Sequence, residues 1–222
     1  MTEALTLDCL IHEPDGSADS CLIWLHGLGA DGYDFAPITP LLRQQLQRPG
    51  LRLIYPHAPK LAITMNGGMV MPAWYDILAS SPRRTINRQQ FKQAASAIQK
   101  LIEQQLDAGI ASENIILAGF SQGGAVAYQA ALQFHQPLAA LVCLSTYLAD
   151  AFDIHPANQA LPVFVGHGTH DQVVPKFLGE EAHQWLHKKG LNAQWREYPL
   201  QHEVSQAELL ELAAFIHQRL NS

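Results

Sequence analysis

The sequence is short of three things, each of which would have marked a class of protein. Cysteine is scarce: Cys9, Cys21 and Cys143 are the only three in 222 residues, widely spaced and without a Cys-x-x-Cys pair. An odd number at such spacing argues against a disulfide framework and against a Cys-rich zinc site. Positive charge is scarce too, with 14 Lys and Arg against 20 Asp and Glu, a net charge of −6. A surface that tracks phosphates needs clustered cations, and this chain offers only the pairs Arg83-Arg84 and Lys188-Lys189. No nucleic-acid partner is therefore expected. Long apolar runs are missing as well. The longest covers residues 138–144, far below the roughly 20 residues that span a bilayer, so no integral membrane segment is expected. The first ten residues carry Glu3 and Asp8 rather than a basic start and an apolar run, which does not read as a signal peptide. No lipidation motif is visible. Together these absences point to a reducing cytoplasm.

What is present is a hydrophobic content of 48%, enough for a sizeable core with no metal or disulfide to hold it. Continuous apolar runs such as Leu22-Ile23-Trp24-Leu25 and Val163-Phe164-Val165 suit parallel strands buried on both faces. Strands are expected over residues 5–12, 21–26, 51–56, 115–120, 139–145, 163–167 and 193–198. Helices are expected between them. Residues 87–108 place Phe91, Ala95, Ile98, Ile102 and Leu106 on one stripe before Gly109. Residues 175–189 open on a proline and end at Gly190. Residues 205–220 begin with the capping box Ser205-x-x-Glu208. Further helices are expected over 122–134 and 35–47. The alternation implies one α/β domain over residues 1–222 with a mostly parallel sheet. Residues 58–86 break it, with Pro59, Gly67, Gly68 and Pro72 among Met65, Met69, Met71, Trp74 and Tyr75. They read as a long irregular excursion, either functional or merely packed.

Two glycine motifs compete. Gly27-Leu28-Gly29-Ala30-Asp31-Gly32 has the G-x-G-x-x-G spacing of a dinucleotide loop, after a strand and before an expected helix. That makes an NADP-dependent oxidoreductase a rival reading. Its ribose-binding acid, due about 20 residues on, is absent, because no Asp or Glu occurs between Asp34 and Asp76. The second motif, Gly119-Phe120-Ser121-Gln122-Gly123, lies between a strand and an alanine-rich helix. G-x-S-x-G in that context is a nucleophile elbow.

A serine nucleophile needs a base and an acid, in the chain order Ser, Asp or Glu, His. Asp171 follows the strand at 163–167 and emerges at the same sheet edge as the elbow; Asp150 and Asp153 are fallbacks, and Asp171 could instead cap the helix at Pro175. Of the eight histidines after Ser121, His202 lies in a loop at that edge. His135 belongs at the opposite edge, and His183, His187 and His217 lie within helices. His155, His167 and His170 stay open on position alone. The oxyanion donors expected are the N–H groups of Gln122 and of Leu28, in the loop after an earlier strand.

These residues resemble the phospholipase/carboxylesterase family of α/β-hydrolases, which includes bacterial carboxylesterases and acyl-protein thioesterases. The anchors are His26-Gly27-Leu28-Gly29-Ala30-Asp31-Gly32, Met71-Pro72-Ala73-Trp74-Tyr75-Asp76, the elbow, His167-Gly168-Thr169-His170-Asp171 through Pro175, and Tyr198-Pro199-Leu200-Gln201-His202. The resemblance implies an α/β-hydrolase fold without a large lid domain. It implies Ser121, Asp171 and His202 as the catalytic set, Leu28 and Gln122 as the oxyanion hole, and Met69, Met71, Trp74 and Val174 along the substrate groove. It implies no cofactor and no metal. Gln201 and Thr146 stand where the family often has glycine, and both departures are expected at the pocket rim. The expected activity is hydrolysis of short- to medium-chain acyl esters, with thioesters or lysophospholipids as further substrates. The non-enzyme rival is a binding protein on the same fold. Exposed apolar residues around Met65 to Trp74 suggest a homodimer or a membrane-surface contact.

Overall fold

The computed structural model describes residues 5–80 and 83–221. Along the chain come β1 (Cys9–His12), β2 (Ser20–Leu25), α1 (Thr39–Leu46) and β3 (Leu51–Pro56). Two short hairpins follow, β4 (Lys60–Ile63) with β5 (Met69–Pro72) and β6 (Ile77–Ala79) with β7 (Thr85–Ile86). Then come α2 (Arg88–Asp107), β8 (Ile115–Phe120), α3 (Gln122–Leu132), β9 (Ala140–Leu144), β10 (Val163–Gly168), α4 (Lys176–Lys188), β11 (Ala193–Tyr198) and α5 (Gln206–Leu220).

The apolar runs do what their continuity requires. In β2, Cys21, Ile23 and Leu25 point into a layer shared with α2, α3 and α4, while Leu22 and Trp24 point into a layer shared with α1 and α5. Every residue of α3 is buried, and its glycines and alanines let it lie close against the sheet. The expected cap at Ser205 forms, its Oγ accepting from Glu208 N–H, and the structure adds a cap on α2, where the Asn87 side chain accepts from Gln90 N–H.

The seven-stranded sheet runs β1-β3-β2-β8-β9-β10-β11. Its neighbours are parallel except the edge pair β1–β3. From β2 the chain steps to β3 on one side, and the next sheet strand, β8, lies on the other side of β2. The winding direction therefore switches between β2 and β8. Ligand crevices open at the carboxyl ends of strands at such a point, and the loops after β2, β8, β10 and β11 all emerge there.

Three expectations need correction. Residues 58–86 are not irregular throughout but hold the two hairpins. Strands of two to four residues are too short to show a period in sequence, and the Gly67-Gly68 turn, with φ of 65° and 81°, was their main visible sign. Ser81 and Pro82 of this stretch lie outside the described residues. The expected helix over 35–47 begins as a single 3-10 turn containing Pro37, becomes α-helical only at Thr39, and ends where Gln47 turns left-handed. The first strand is shorter than expected, starting at Cys9.

Candidate active site

Ser121 alone makes the turn from β8 into α3. Its backbone sits at φ 53°, ψ −120°, outside the regions a non-glycine residue normally occupies. Its N–H donates to Leu144 O at 2.9 Å, and its carbonyl accepts from Thr146 Oγ1 at 2.6 Å. Gly123 is required here, since a Cβ would fall on the carbonyl oxygen of His26 and within 2.7 Å of that of Leu25. The absence of that side chain lets the loop after β2 close onto the elbow. Thr146 is therefore not a rim residue as expected. It is buried beneath the elbow and helps hold the strained turn.

The loops after β10 and β11 are joined by Thr169 N–H to Tyr198 O at 2.8 Å and His170 N–H to Leu200 O at 2.9 Å. This brings residue 171 beside residue 202. His202 Nδ1 lies 2.7 Å from Asp171 Oδ2, and His202 Nε2 lies 2.9 Å from Ser121 Oγ. Asp171 Oδ1 accepts from Val173 N–H at 2.9 Å and Val174 N–H at 2.8 Å. The expected cap on the helix at Pro175 does not form, since α4 has no side-chain cap; Asp171 Oδ1 instead closes the turn that precedes it, while Oδ2 meets His202. Burial pushes its carboxyl pKa up, but the His202 ring and the Val174 N–H outweigh this and hold it below the ordinary value. An ionised Asp171 puts the imidazole proton on Nδ1 and leaves Nε2 free to accept from the Ser121 hydroxyl. The other face of the imidazole is set by packing: the Phe120 ring lies 4.7 Å from it and continues through Phe35 to Trp24 in the core.

Leu28 N–H has no hydrogen-bond partner among the described residues. Gln122 opens α3, so its N–H has no acceptor within the helix. Several braces position the loop at 26–29, and sequence reasoning missed them. His26 is buried, and desolvation lowers its pKa to about 4, so it is neutral. Its Nε2 accepts from Ala58 N–H at 3.1 Å, and Nδ1 donates to Gly27 O at 2.7 Å. Trp74 Nε1 donates to His26 O at 2.9 Å, and Gly29 N–H to Pro72 O at 2.9 Å. The buried Gln122 side chain accepts from Trp74 N–H at 2.9 Å and donates to Tyr75 O at 2.7 Å. The motif showed Gln122 as a backbone donor; only the fold shows its side chain joined to the segment after β5. His167, left open above, is also buried, and its Nε2 donates to Val174 O at 2.8 Å, bracing the Asp171 turn.

The remaining candidates lie elsewhere or act differently. Asp150 pairs with Arg88, and Asp153 with Lys189. His155 accepts from Ala157 N–H, and the exposed His170 meets Thr169 Oγ1. His183 and His187 face each other on α4 at 3.1 Å. Met69 is 63% exposed and Met71 is half-buried beside Gly29. Trp74 and Val174, expected along the groove by resemblance, are fully buried at 1% and 0% exposure. Their groups face inward because the indole N–H serves His26, and the Val174 backbone serves Asp171 and His167. The rival glycine loop opens no helix, since α1 starts only at Thr39, and a Cβ on Gly32 would strike the Tyr55 carbonyl.

The family model for Phospholipase/Carboxylesterase matches residues 8–220. The chain belongs to the phospholipase/carboxylesterase family. It is 34% identical over 211 residues to acyl-protein thioesterase 1 of Gibberella zeae, covering 90% of each chain. It is 34% identical over 215 residues to acyl-protein thioesterase 1 of Saccharomyces cerevisiae, covering 92% of this chain and 95% of that one. Among solved structures, SOBER1 of Arabidopsis thaliana superposes with a TM-score of 0.83 at 26% identity, over 90% of this chain and 99% of that one. The fold is thus the α/β-hydrolase fold, and membership of this family makes the chain a hydrolase of the esterase type. Among the described residues no helix is long and apolar enough to cross a membrane.

Proposed function

We propose that this chain is a serine hydrolase that cleaves short- to medium-chain acyl esters and thioesters through Ser121, His202 and Asp171. The observation that carries the reading is the unbroken row from Asp171 Oδ2 to His202 to Ser121 Oγ, at 2.7 and 2.9 Å. His202 Nε2 takes the Ser121 proton as Oγ bonds to the substrate carbonyl carbon, and the carbonyl π electrons move to oxygen. In this reading the oxyanion accepts hydrogen bonds from Leu28 and Gln122 N–H, backbone donors held in place by the fold and therefore needing little rearrangement. Collapse expels the alcohol or thiol, which takes the proton from His202, and leaves an acyl-Ser121 ester. Water then loses a proton to His202 and adds to that ester. The second collapse frees the carboxylic acid and returns the proton to Ser121. The relatives named acyl-protein thioesterase support including thioesters.

Met69 and Met71 form the acyl contact in this reading. Methionine is adaptable and polarisable, and the Met71 sulfur lies beside the loop that carries Leu28, 3.8 Å from where a Cβ on Gly29 would be. Trp74 and Val174 support the groove from beneath. The exposed Met65, Met69 and Val70 supply a self-association face, which gel filtration with and without detergent tests. The three free cysteines suit a reducing cytoplasm. The reaction itself is tested with p-nitrophenyl esters of graded chain length beside acyl thioesters and lysophospholipids. The reading expects turnover that peaks at short to medium chains and vanishes in Ser121→Ala. Retained turnover in that variant removes Ser121 from the scheme.

A further inference from the structure

A concavity of about 800 Å³ lies between α2 and the β4–β5 hairpin, and none of Ser121, Asp171 and His202 lines it. Its volume is in the range of about 300–1,000 Å³ typical of small-molecule sites. Leu5, Pro59 and Leu61, all half-buried, supply apolar surface, and α2 supplies a wall of Arg88, Lys92, Ser96 and Lys100. These four positions are spaced by four residues and therefore share one helix face. At about 1.5 Å rise per residue, Lys92 and Lys100 stand about 12 Å apart along it. Arg88 is paired with Asp150. Lys92 and Lys100 are exposed, and neither has a carboxylate partner among the described residues. This wall therefore carries two cations without ion-pair partners among the described residues, on a chain of net charge −6, which favours an anionic ligand there.

We infer that this concavity is a second binding site, for a single-chain fatty carboxylate. The carboxylate pairs with Lys92 or Lys100, and the alkyl chain lies along Leu61, Pro59 and Leu5. Charge complementarity selects an anion, and the apolar floor selects its tail. An acidic peptide fits less well, because its backbone N–H and C=O groups would be desolvated against that floor without partners. A bilayer surface fits less well because the lysines line a recess rather than a protruding face.

The test is calorimetric titration of the full chain with dodecanoate, below its micelle concentration and at low salt. Saturable binding at one site is expected, weakening as salt is added. Lys92→Glu combined with Lys100→Glu should weaken it at least tenfold. Ser96→Trp, which keeps both lysines and fills the recess, should weaken it to a similar degree. Thermal melts verify that both variants are folded, and neither alters a residue of the Ser121 site, so cleavage of a short soluble ester should stay within about twofold of the parent. Absence of saturable binding to the parent overturns the inference. So does equal affinity in both folded variants, which would place the ligand elsewhere, at Ser121 for example. Lysine-dependent binding to phosphatidylglycerol vesicles without binding of dodecanoate also overturns it, in favour of a membrane contact.

Discussion

Replacing Gln122 by Met isolates what its side chain does while leaving its backbone N–H in place. Met has nearly the same length and volume, so packing changes little. The Trp74 N–H and Tyr75 C=O, which Gln122 now pairs at 2.9 and 2.7 Å, would both become buried and unpaired. Each such group costs about 1–3 kcal/mol, so Gln122→Met should lose about 2–6 kcal/mol in urea unfolding. Gln122→Glu sharpens the argument. A protonated Glu can accept from Trp74 N–H and donate to Tyr75 O, as Gln does. An ionised Glu would set a second anionic oxygen against that carbonyl. Its folded-state pKa should therefore be raised, so stability is held at low pH and lost as pH rises above the unfolded carboxylate value. Gln122→Met should show no such added slope relative to the parent. The assay is the urea midpoint of the three proteins at pH 5, 6, 7 and 8. A cost below about 0.5 kcal/mol for Gln122→Met, or parallel pH profiles for Gln122→Glu and the parent, would refute the bracing role.

Other consequences follow from the same geometry. Asp171→Asn should leave the fold intact and reduce kcat roughly 10⁴-fold, because the imidazole loses the partner that fixes its proton on Nδ1; steady-state kinetics on a soluble ester check this, and a loss below tenfold would count against Asp171 as the acid. Gly123→Ala should cost about 3 kcal/mol or prevent folding, since the new Cβ meets the Leu25 and His26 carbonyls; yield and thermal melting read the result. Glu208 is buried with Oε1 unpartnered, and burial raises its pKa to about 8. A carboxyl raised in the folded state contributes stability below its unfolded pKa that is lost as pH climbs toward 8, at no more than about 1.4 kcal/mol per unit. His26, lowered to about 4, acts in the opposite sense up to its unfolded value near 6.5, so the clean window is pH 6.5–8. There Glu208→Gln should flatten the decline in the urea midpoint, and an unchanged slope would exclude Glu208 as its source.

The sheet was legible because a strand buried on both faces must be written as an uninterrupted apolar run, as in residues 22–25 and 163–165. The three residues of the proposed catalytic set were legible because chain order and sheet edge constrain them. Ser121 follows β8, Asp171 follows β10, and His202 follows β11. The hairpins in residues 58–86 were not legible, since a strand of two to four residues has no measurable period. The supports of the site were hidden for a different reason. The family resemblance places Trp74 along the groove and is silent on its indole N–H, which is fixed to His26 O. Thr146 reads as a rim residue by position, yet it holds the Ser121 carbonyl. Such hydrogen bonds join residues about 25 to 50 positions apart, and local pattern carries no record of them.

The most direct measurement of the central claim is intact-protein and peptide mass spectrometry after treatment with a fluorophosphonate probe. If Ser121 is a nucleophile activated by His202, the folded chain gains one adduct, located on Ser121, and ester hydrolysis falls in proportion. The adduct should be absent from Ser121→Ala and strongly slowed in His202→Ala. Loss of activity with the label on another residue, or sustained hydrolysis with Ser121 fully labelled, would contradict the account.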